Sequence, residues 1–555
     1  MRKALIIGNC NYRTPLNNPI NDANLMNEIL SYKGFIVSIF HDVNNIDFHK
    51  HIDSFCDSLN DGDNVIFYFA GHAVEDRDVN YLLSIDFNSI NVCNDSVSLD
   101  MIQNKLCNNN PSGLKLIIVD ACRNNPSLME TLSPKRINVN NNVLIAYSTS
   151  SGSTAKDGKN GNSIYTKSLT ENIKNYNLSI NDIFSKTRET VIKQTNYSQI
   201  PWEYSSLLES KNFIFDNIPY PNKLIRIIKN HLSKTYGMKR FNNQFIVVGD
   251  SNKLNLFKTS YSCVKTITLQ KNDELGTIES VDFNNHFIIY ATDTGCIIIY
   301  DLLRKSLQKI KLNHSIFTTL INKNNLAFFA GENQSICIFN IKKKRIKRMK
   351  LKKEVLSDFH SDRKILNSLS KNITIMALSS PSYNPDIIAF GGSSGIFCIK
   401  NIKKGNYLLK TYKSNPFLYT YSICFSNDKK HIATGHEGGK CILWDAEKLK
   451  ISNIFQVNKK IEKTQFFEFT DEIHSNHICC IRFSPDSKLL AIATSESSII
   501  FYDTTYYKLI HKVNLNIEPF PIYAMEFDEK GEYLAVAMND KNYIFSCSTS
   551  QKDNT

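Results

Sequence analysis

Apolar and polar positions alternate in two different ways along the chain, and the change falls near residue 240. Up to residue 216, short apolar runs are separated by longer stretches in which apolar residues recur at helical spacing. Strands that alternate with helices indicate a mostly parallel sheet with helices on both faces. The pattern predicts strands at 4–7, 34–40, 64–69, 115–119, 143–147 and near 213–215, and helices at 21–32, 48–59, 99–106, 163–176 and 180–194.

After residue 240 the pattern predicts strands throughout. One strand pattern recurs seven times, and three copies end in an aromatic residue followed by Asp, namely Tyr300-Asp301, Trp444-Asp445 and Tyr502-Asp503. Most copies are about 40 residues apart, which is the length of a four-stranded propeller blade. Two longer intervals predict insertions around 341–370 and 456–476. The seven copies lie at 254–257, 296–301, 336–340, 396–401, 441–445, 499–503 and 543–546.

Length and charge agree with two modules. A chain of 555 residues is too long for one core, and we predict a domain at 1–216, a linker that can be helical at 217–239, and a seven-bladed propeller at 240–555. Residues 1–216 contain 19 basic and 23 acidic residues, whereas the remainder contains 47 and 30. Opposite net charges indicate modules with different partners.

Targeting and cysteine patterns favour a cytoplasmic protein. No apolar run reaches the roughly 18 residues of a membrane span, and the apolar stretch after Met1 is too short for a signal peptide, so we interpret it as a strand. The 14 cysteines are scattered without metal-ligand spacing, which favours a reduced compartment and indicates no metal site.

Two of the predicted strands lead into reactive side chains. The strand at 64–69 runs into Ala70-Gly71-His72-Ala73, and the strand at 115–119 runs into Asp120-Ala121-Cys122-Arg123. Sites in open α/β sheets form just outside the carboxyl ends of the strands, where we expect His72 and Cys122 to meet. A thiolate attacks peptide carbonyls, and an imidazole within hydrogen-bond reach moves the required protons. Either residue alone is more often structural, so the pairing is what favours catalysis.

Residues 1–216 resemble the caspase, metacaspase and paracaspase superfamily. The resemblance rests on four motifs and on the 50-residue spacing of His72 and Cys122, with further similarity to bacterial members at 152–158 and 201–203. It implies an α/β caspase-like sandwich, Cys122 as nucleophile, His72 as base, and an oxyanion hole made by the backbone N–H groups of Ala73 and Cys122. The family usually has Gly at the position of Ala73, and glycine would be favoured there if φ were positive. The four motifs are at 4–9, 21–23, 68–72 and 120–123.

The resemblance also implies which bond is cut. Caspases proper hold aspartate with arginines, whereas metacaspases and paracaspases hold Arg or Lys with acidic residues. The paracaspase-like acids fall on Asp22, Asp120 and Asp157. Three converging carboxylates would bind a guanidinium or ammonium group, and Arg is favoured by bidentate geometry. We expect cleavage after Arg or Lys; the alternative is that Asp22 caps its helix and Asp157 is an ordinary loop acid.

Three further features concern substrate and regulation. The stretch 147–151, including Ser148, is expected to pair with an extended substrate as an added strand. The loop at 123–142 contains Lys135 and Arg136, where self-cleavage and an ordinary solvated loop are equal alternatives. Some metacaspases need calcium, but the acidic run 75–78 lacks the spaced ligands of a calcium loop and favours a solvated turn. No cofactor is indicated.

The C-terminal half resembles the WD-repeat family, which implies a rigid platform for a protein or other ligand. Bacterial proteins of this architecture are suspected of acting in stress-triggered or phage-triggered cell death, so the leading hypothesis is a regulated cysteine endopeptidase. The alternatives are an inactive scaffold and a sensor of nucleic acid or another ligand. Residues 342–353 include nine basic residues and are a candidate nucleic-acid site or self-cleavage target, although a solvated loop is the favoured interpretation.

Overall fold

The structure is a computed structural model in which the chain forms two compact units, Met1–Asn217 and Ile218–Thr555. The residues that it describes are 1–76, 79–88, 92–93, 95–122, 142–149, 161–207, 215, 218–229, 235–241, 244–249, 253–258, 261–268, 276, 278–332, 335–351, 374–411, 419–457, 477–515, 521–538 and 541–548. None of the helices in these ranges is long and apolar enough to cross a membrane.

The N-terminal unit is built around one sheet. Its order is β2-β1-β3-β6-β7-β8, with β4 paired to β3 and β5 paired to β4. The strands from β2 to β7 in this order run parallel, and β8 is antiparallel to β7. The strands are β1 (Arg2–Gly8), β2 (Ile36–His41), β3 (Asn64–Asp76), β4 (Val79–Leu83), β5 (Ser96–Ser98), β6 (Lys115–Cys122), β7 (Val143–Tyr147) and β8 (Trp202–Ser205).

Among the described residues five helices cover the sheet, and four of them begin at a residue that caps the first turn. Each of these capping side chains accepts a hydrogen bond from the backbone N–H three residues further on, which satisfies an otherwise unpaired donor. The caps are Asn44, Ser98, Ser163 and Ser179. The helices are α1 (Pro19–Tyr32), α2 (Asn45–Asp57), α3 (Leu99–Asn109), α4 (Ile164–Lys174) and α5 (Ile180–Gln194).

The two faces of the sheet have different cores. Alternate residues of the central strands, such as Leu5 and Phe67, pack with Phe48 of α2 and Ile102 of α3 on one face. On the opposite face Tyr68 is fully buried, and its hydroxyl lies 2.6 Å from Thr166 Oγ1 of α4. The sequences of the buried strands are therefore continuous apolar runs, as expected of a parallel sheet covered on both sides.

The predicted α/β organisation is confirmed, but the strands differ from the prediction in several places, and β4 and β5 were not predicted. The strand predicted at 64–69 continues to Asp76, and its last four residues pair with β4. The strand predicted near 213–215 is wrong at Phe215, which lies outside any strand, and residues 213–214 fall outside the described ranges. The last strand of the sheet is β8 instead, within the segment that contains the Pro201-Trp202-Glu203 motif.

The C-terminal unit contains seven four-stranded antiparallel sheets among its described residues. The first strands of neighbouring sheets contact each other, and the contact of the seventh with the first closes a ring. The sheets are β10-β11-β12-β13 (Thr235–Phe241, Gln244–Gly249, Lys253–Lys258, Tyr261–Thr268), β14-β15-β16-β17 (Ile278–Phe283, Phe287–Thr292, Cys296–Asp301, Ser306–Lys311), β18-β19-β20-β21 (Ile316–Ile321, Leu326–Gly331, Ser335–Asn340, Arg345–Lys350), β22-β23-β24-β25 (Ile375–Ser379, Ile387–Gly392, Phe397–Asn401, Tyr407–Thr411), β26-β27-β28-β29 (Thr420–Phe425, His431–His436, Lys440–Asp445, Lys450–Gln456), β30-β31-β32-β33 (Ile478–Phe483, Leu489–Thr494, Ser498–Asp503, Leu509–Asn514) and β34-β35-β36-β9 (Ala524–Phe527, Tyr533–Met538, Lys541–Ser548, Tyr220–Lys229).

The recurring sequence pattern is the third strand of each sheet, and its terminal Asp has a structural role. In the aromatic-Asp copies, Oδ1 of the Asp accepts hydrogen bonds from the backbone N–H groups two and three residues further on, at 2.7–3.0 Å. These bonds close the turn into the fourth strand. The repeat is visible in the sequence partly because these three sheets share the same turn chemistry.

The predicted linker at 217–239 is wrong. Residues 220–229 form strand β9, which pairs antiparallel with β36 and completes the last sheet. The C-terminal unit thus begins at Ile218 and includes β9 and β10, rather than beginning at residue 240. The prediction failed because β9 resembles an isolated amphipathic stretch until its partner at 541–548 is known.

The predicted insertion around 341–370 is also wrong at its start. Residues 345–350 form β21, the outer strand of the third sheet, and residues 352–373 lie outside the described ranges. Most of the second predicted insertion, at 458–476, also lies outside them.

Candidate active site

His72 and Cys122 are direct neighbours in the sheet. The parallel register of β3 and β6 runs from Val65 opposite Lys115 to His72 opposite Cys122. Adjacent strands lie about 4.8 Å apart, so the backbones of the two residues are held side by side. The prediction that they lie at neighbouring strand ends is modified at one point, because β6 ends at Cys122 whereas β3 continues past His72.

The loop after β1 fixes His72 in place. The hydroxyl of Tyr12 accepts a hydrogen bond from the backbone N–H of His72 at 3.0 Å and donates one to the carbonyl of Leu83, also at 3.0 Å. The Tyr12 ring meets the imidazole edge-on, with centroids 4.6 Å apart. A Cβ atom on Gly71 would lie 2.5 Å from the Tyr12 hydroxyl, so this approach needs glycine at position 71.

Ala73 lies in the extended part of β3, opposite Leu82 of β4. Its φ is not positive, so the conformation present here is one that alanine adopts without strain. Successive N–H groups of an extended strand point to opposite edges. Since the His72 N–H points to Tyr12, the Ala73 N–H points away from Tyr12.

Two of the three predicted pocket acids meet at the first turn of α4. Asp22 Oδ1 accepts hydrogen bonds from the backbone N–H of Ser163 at 2.9 Å and from Asn162 Nδ2 at 3.0 Å. Asp120 Oδ2 accepts from the hydroxyl of Ser163 and from Thr166 Oγ1, the latter at 2.7 Å. Ser163 therefore joins the two carboxylates, which are 2 % and 6 % exposed.

The surroundings of these acids favour negative charge. They lie at the N-terminal end of α4, where the helix dipole stabilises anions. The pKa of the fully buried Tyr68 hydroxyl is raised well above its usual value, first by burial and then by the charges of Asp120 and Asp22. Burial and Asp120 also raise the pKa of Tyr165. The tyrosines thus remain neutral beside the carboxylates.

The alternative that Asp22 caps its own helix is not what the structure shows. Helix α1 begins at Pro19 with Asn18 in the N-cap position, and Asp22 lies at the fourth helical residue. The third predicted acid, Asp157, lies outside the described residues, as do Lys135 and Arg136 of the predicted self-cleavage loop.

Ser148 does not offer the strand edge that was predicted for substrate pairing. Its backbone N–H donates to the carbonyl of Val119 at 3.0 Å, and its carbonyl accepts from Gln199 Nε2 at 2.8 Å. The residue is fully buried, and the preceding Tyr147 is paired to both β6 and β8. The physical reason is that β8 occupies the outer edge of β7 as far as Tyr147, and Gln199 bonds to Ser148. Residues 150 and 151 of the predicted stretch lie outside the described residues.

Models of known protein families match segments of both units. The family model for the caspase domain matches residues 1–213. The model for the WD domain, G-beta repeat, matches residues 407–445 and 467–503. The chain joins a caspase domain to WD repeats.

Curated relatives share only part of their length with this chain. WD repeat-containing protein 1 of Xenopus tropicalis is 30% identical over 185 residues, which cover 28% of this chain and 30% of the relative. Its Mus musculus counterpart is 28% identical over 186 residues, with the same coverage. WD repeat-containing protein 1-B of Xenopus laevis is 33% identical over 146 residues, covering 21% and 24%. The chain thus spans less than a third of each of these relatives.

The acidic run at 75–78 was predicted to be a solvated turn, but its first two residues are not in a turn. Glu75 and Asp76 belong to β3 and pair with β4, and residues 77–78 lie outside the described ranges. Across the part of the chain that the structure describes, no group of three or more His, Cys, Asp or Glu side chains is placed to hold a metal ion.

Sequence reasoning missed the residues that connect the site of the caspase domain. Ser163 had a local signal, since a serine before a predicted helix is a common N-cap. The bonds from Ser163 to Asp22 and Asp120 had no local signal in the sequence, because those residues are 141 and 43 positions away. Tyr12 likewise contacts His72 across 60 residues of chain.

His72 of the caspase domain should titrate at lower pH than an ordinary histidine. Burial lowers the pKa of its imidazole below 6.5, and a hydrogen bond with the backbone of Thr14 opposes this only in part. Because the neutral imidazole persists to lower pH, the acid limb of kcat/KM for peptide cleavage is expected to have its midpoint below pH 6.5. Activity is lost as the pH falls through that midpoint. An acid-limb midpoint above pH 6.5 would contradict this expectation.

Proposed function

We propose that the caspase domain is a cysteine endopeptidase that cleaves after Arg or Lys, with Cys122 as nucleophile and His72 as base. The observation that supports it most directly is the register that sets His72 opposite Cys122 on neighbouring parallel strands. A caspase domain indicates a cysteine-type peptidase acting on proteins, and WD repeats indicate a protein-binding region. We further propose that this region regulates or targets the peptidase in the cytoplasm, in stress-triggered or phage-triggered cell death.

The proposed chemistry is compatible with the placement of the backbone groups. His72 would take the thiol proton of Cys122, and the thiolate would attack the carbonyl carbon of the scissile peptide bond. The N–H groups of Ala73 and Cys122 would stabilise the oxyanion, because Ala73 directs its N–H away from Tyr12. His72 would then give the proton to the leaving amine, and water would release the acyl group from Cys122.

The specificity proposal rests on Asp22 and Asp120. Both are almost fully buried and lie at one helix end, and Asp120 is two residues before the nucleophile on the same strand. A carboxylate has about four acceptor positions, so the two hydrogen bonds described for each acid are compatible with further bonds to a guanidinium. An arginine side chain would supply the positive charge that two such carboxylates attract.

Four peptides that differ only in the residue before the cut test this proposal. We expect kcat/KM for Arg to exceed that for Asp and for citrulline, the neutral analogue of Arg, by about 100-fold. This corresponds to about 1.5 kcal/mol for each of two charged hydrogen-bonding contacts. Lys should rank second because it cannot bind in bidentate fashion.

The variant Asp120→Asn separates specificity from general damage. Cleavage after Arg should fall by about 10-fold or more, whereas cleavage after citrulline should change far less. Asp57→Asn, at an exposed position at the end of α2, is the matched control and should behave as wild type. Faster cleavage after Asp than after Arg would overturn the specificity. Failure to cleave any of the peptides, with or without calcium, would favour the scaffold alternative.

A further inference from the structure

The outer strand of the third sheet of the C-terminal unit carries a dense positive charge. Seven of the nine residues from 342 to 350 are basic, and we call this segment the basic edge. Its first three residues form the turn before β21, and the other six are the strand itself. All seven basic side chains are exposed: Lys342, Lys343, Lys344, Arg345, Lys347, Arg348 and Lys350.

These charges are not neutralised by the rest of the sheet. None of the seven forms an ion pair with another residue that the structure describes. The partner strand β20 places Ser335, Cys337 and Asn340 opposite the basic edge and contains no carboxylate. Seven like charges this close together repel one another, and a bound anion would relieve that repulsion.

The neighbouring sheet extends the positive surface. Its outer strand β17 and the turn before it contain Arg304, Lys305, Lys309 and Lys311, all exposed, and residues 302–311 contain no acid. The two sheets are adjacent, since β14 and β18 contact each other. The neighbouring sheet therefore carries a second basic outer strand.

The geometry of the strand favours a flexible polyanion. Residues on one face of a strand repeat every 6.6 Å or so, and the basic edge has cations on both faces, with Arg345 and Lys347 on one and Arg348 and Lys350 on the other. A chain of phosphates can follow such a strand and contact both faces, whereas a flat membrane meets one. β21 is the last strand of its sheet, so its outer edge is unpaired within that sheet.

We propose that the basic edge binds the phosphate backbone of nucleic acid without sequence preference. The segment has no aromatic residue for base stacking, so recognition would be electrostatic. The two arginines can bind phosphate oxygens in bidentate fashion, and the lysines act as point charges. This binding is independent of the peptidase activity proposed above, and the peptide assay is a separate readout.

Fluorescence anisotropy with the full chain and a labelled 20-nucleotide oligothymidylate tests the proposal. Binding should weaken by roughly 10- to 100-fold between 50 and 200 mM KCl, because phosphate contacts release counterions. In the triple variant Lys343→Gln, Lys347→Gln, Arg348→Gln, affinity at 50 mM KCl should fall about 10-fold or more. The log–log salt slope should become shallower by about 2, at roughly 0.7 for each lost contact to a single strand.

A matched control removes the same charge elsewhere on the unit. Lys403→Gln, Lys404→Gln, Lys488→Gln alters three exposed lysines on other sheets and should change affinity by less than about 3-fold. Equal loss in both triple variants would overturn the proposal in favour of general charge attraction. So would absence of binding at 50 mM KCl. Tighter binding to phosphatidylserine vesicles than to the oligonucleotide, lost in the first variant, would assign the surface to lipid instead.

Discussion

Cys122→Ala is expected to lower kcat/KM for an arginyl peptide by about 1,000-fold or more, and His72→Ala should have a comparable effect. In the proposed mechanism the thiolate of Cys122 attacks the carbonyl carbon and the imidazole of His72 moves the proton, so neither residue is useful without the other. The double variant should therefore be no slower than the worse single variant, since residues that act as a unit are not additive. Progress curves with a fluorogenic arginyl peptide measure kcat/KM for the two single variants and the double variant.

The control for this prediction is Cys107→Ala. Cys107 is a partly buried cysteine on α3. The variant Cys107→Ala should keep full activity. A peptidyl ketone that alkylates thiols should also modify Cys122 in wild type and spare His72→Ala, because the base no longer activates the thiol. If Cys122→Ala kept more than a tenth of wild-type activity, the nucleophile assignment would be wrong.

Removing strand β9 should prevent the WD-repeat unit from folding stably. A fragment that begins at Ile218 contains the whole last sheet, whereas one that begins at residue 240 lacks β9 and most of β10. The shorter fragment loses the burial of Tyr220, which is fully buried, and of Ile228. The loss of such a tyrosine alone costs about 3 kcal/mol or more. It also leaves β36 with an unpaired edge, which promotes aggregation.

Thermal unfolding and size-exclusion chromatography of the two fragments check this. The fragment from Ile218 should be monodisperse and unfold in one cooperative transition. The fragment from residue 240 should aggregate or unfold at a melting temperature lower by several degrees. Equal melting temperatures for the two would show that β9 is dispensable.

Features that depend on neighbouring residues could be predicted from the sequence, and contacts between residues far apart along the chain could not. The strands that hold His72 and Cys122 are recognisable because a buried parallel strand is a short apolar run, and two such runs lead directly into these residues. Their alignment follows from the rule that parallel strands end at the same edge of a sheet. The repeated third strand was recognisable partly because three copies end in an aromatic residue and Asp and lead into the same turn.

Contacts between distant segments could not be derived in this way. β9 pairs with a strand more than 300 residues later, and a composition pattern contains no record of that partner. Tyr12 is an ordinary loop tyrosine until the fold brings its hydroxyl to the His72 N–H. For the same reason Ser148 seemed to lie at an open edge, since nothing in the sequence indicated that β8 pairs with β7.

The order of the site residues along the chain determines what a cut after Cys122 would do. A single cleavage between residues 123 and 141, for example after Lys135 or Arg136, would leave the proposed catalytic pair and the two buried acids together in one polypeptide. These residues are His72, Cys122, Asp22 and Asp120. Ser163, which bonds to both acids, would belong to the other. The two pieces would stay joined by the buried ladder between β6 and β7. The nicked protein would be a two-chain molecule in which one chain holds the proposed catalytic pair and both acids, and the other holds the serine that bonds to those acids.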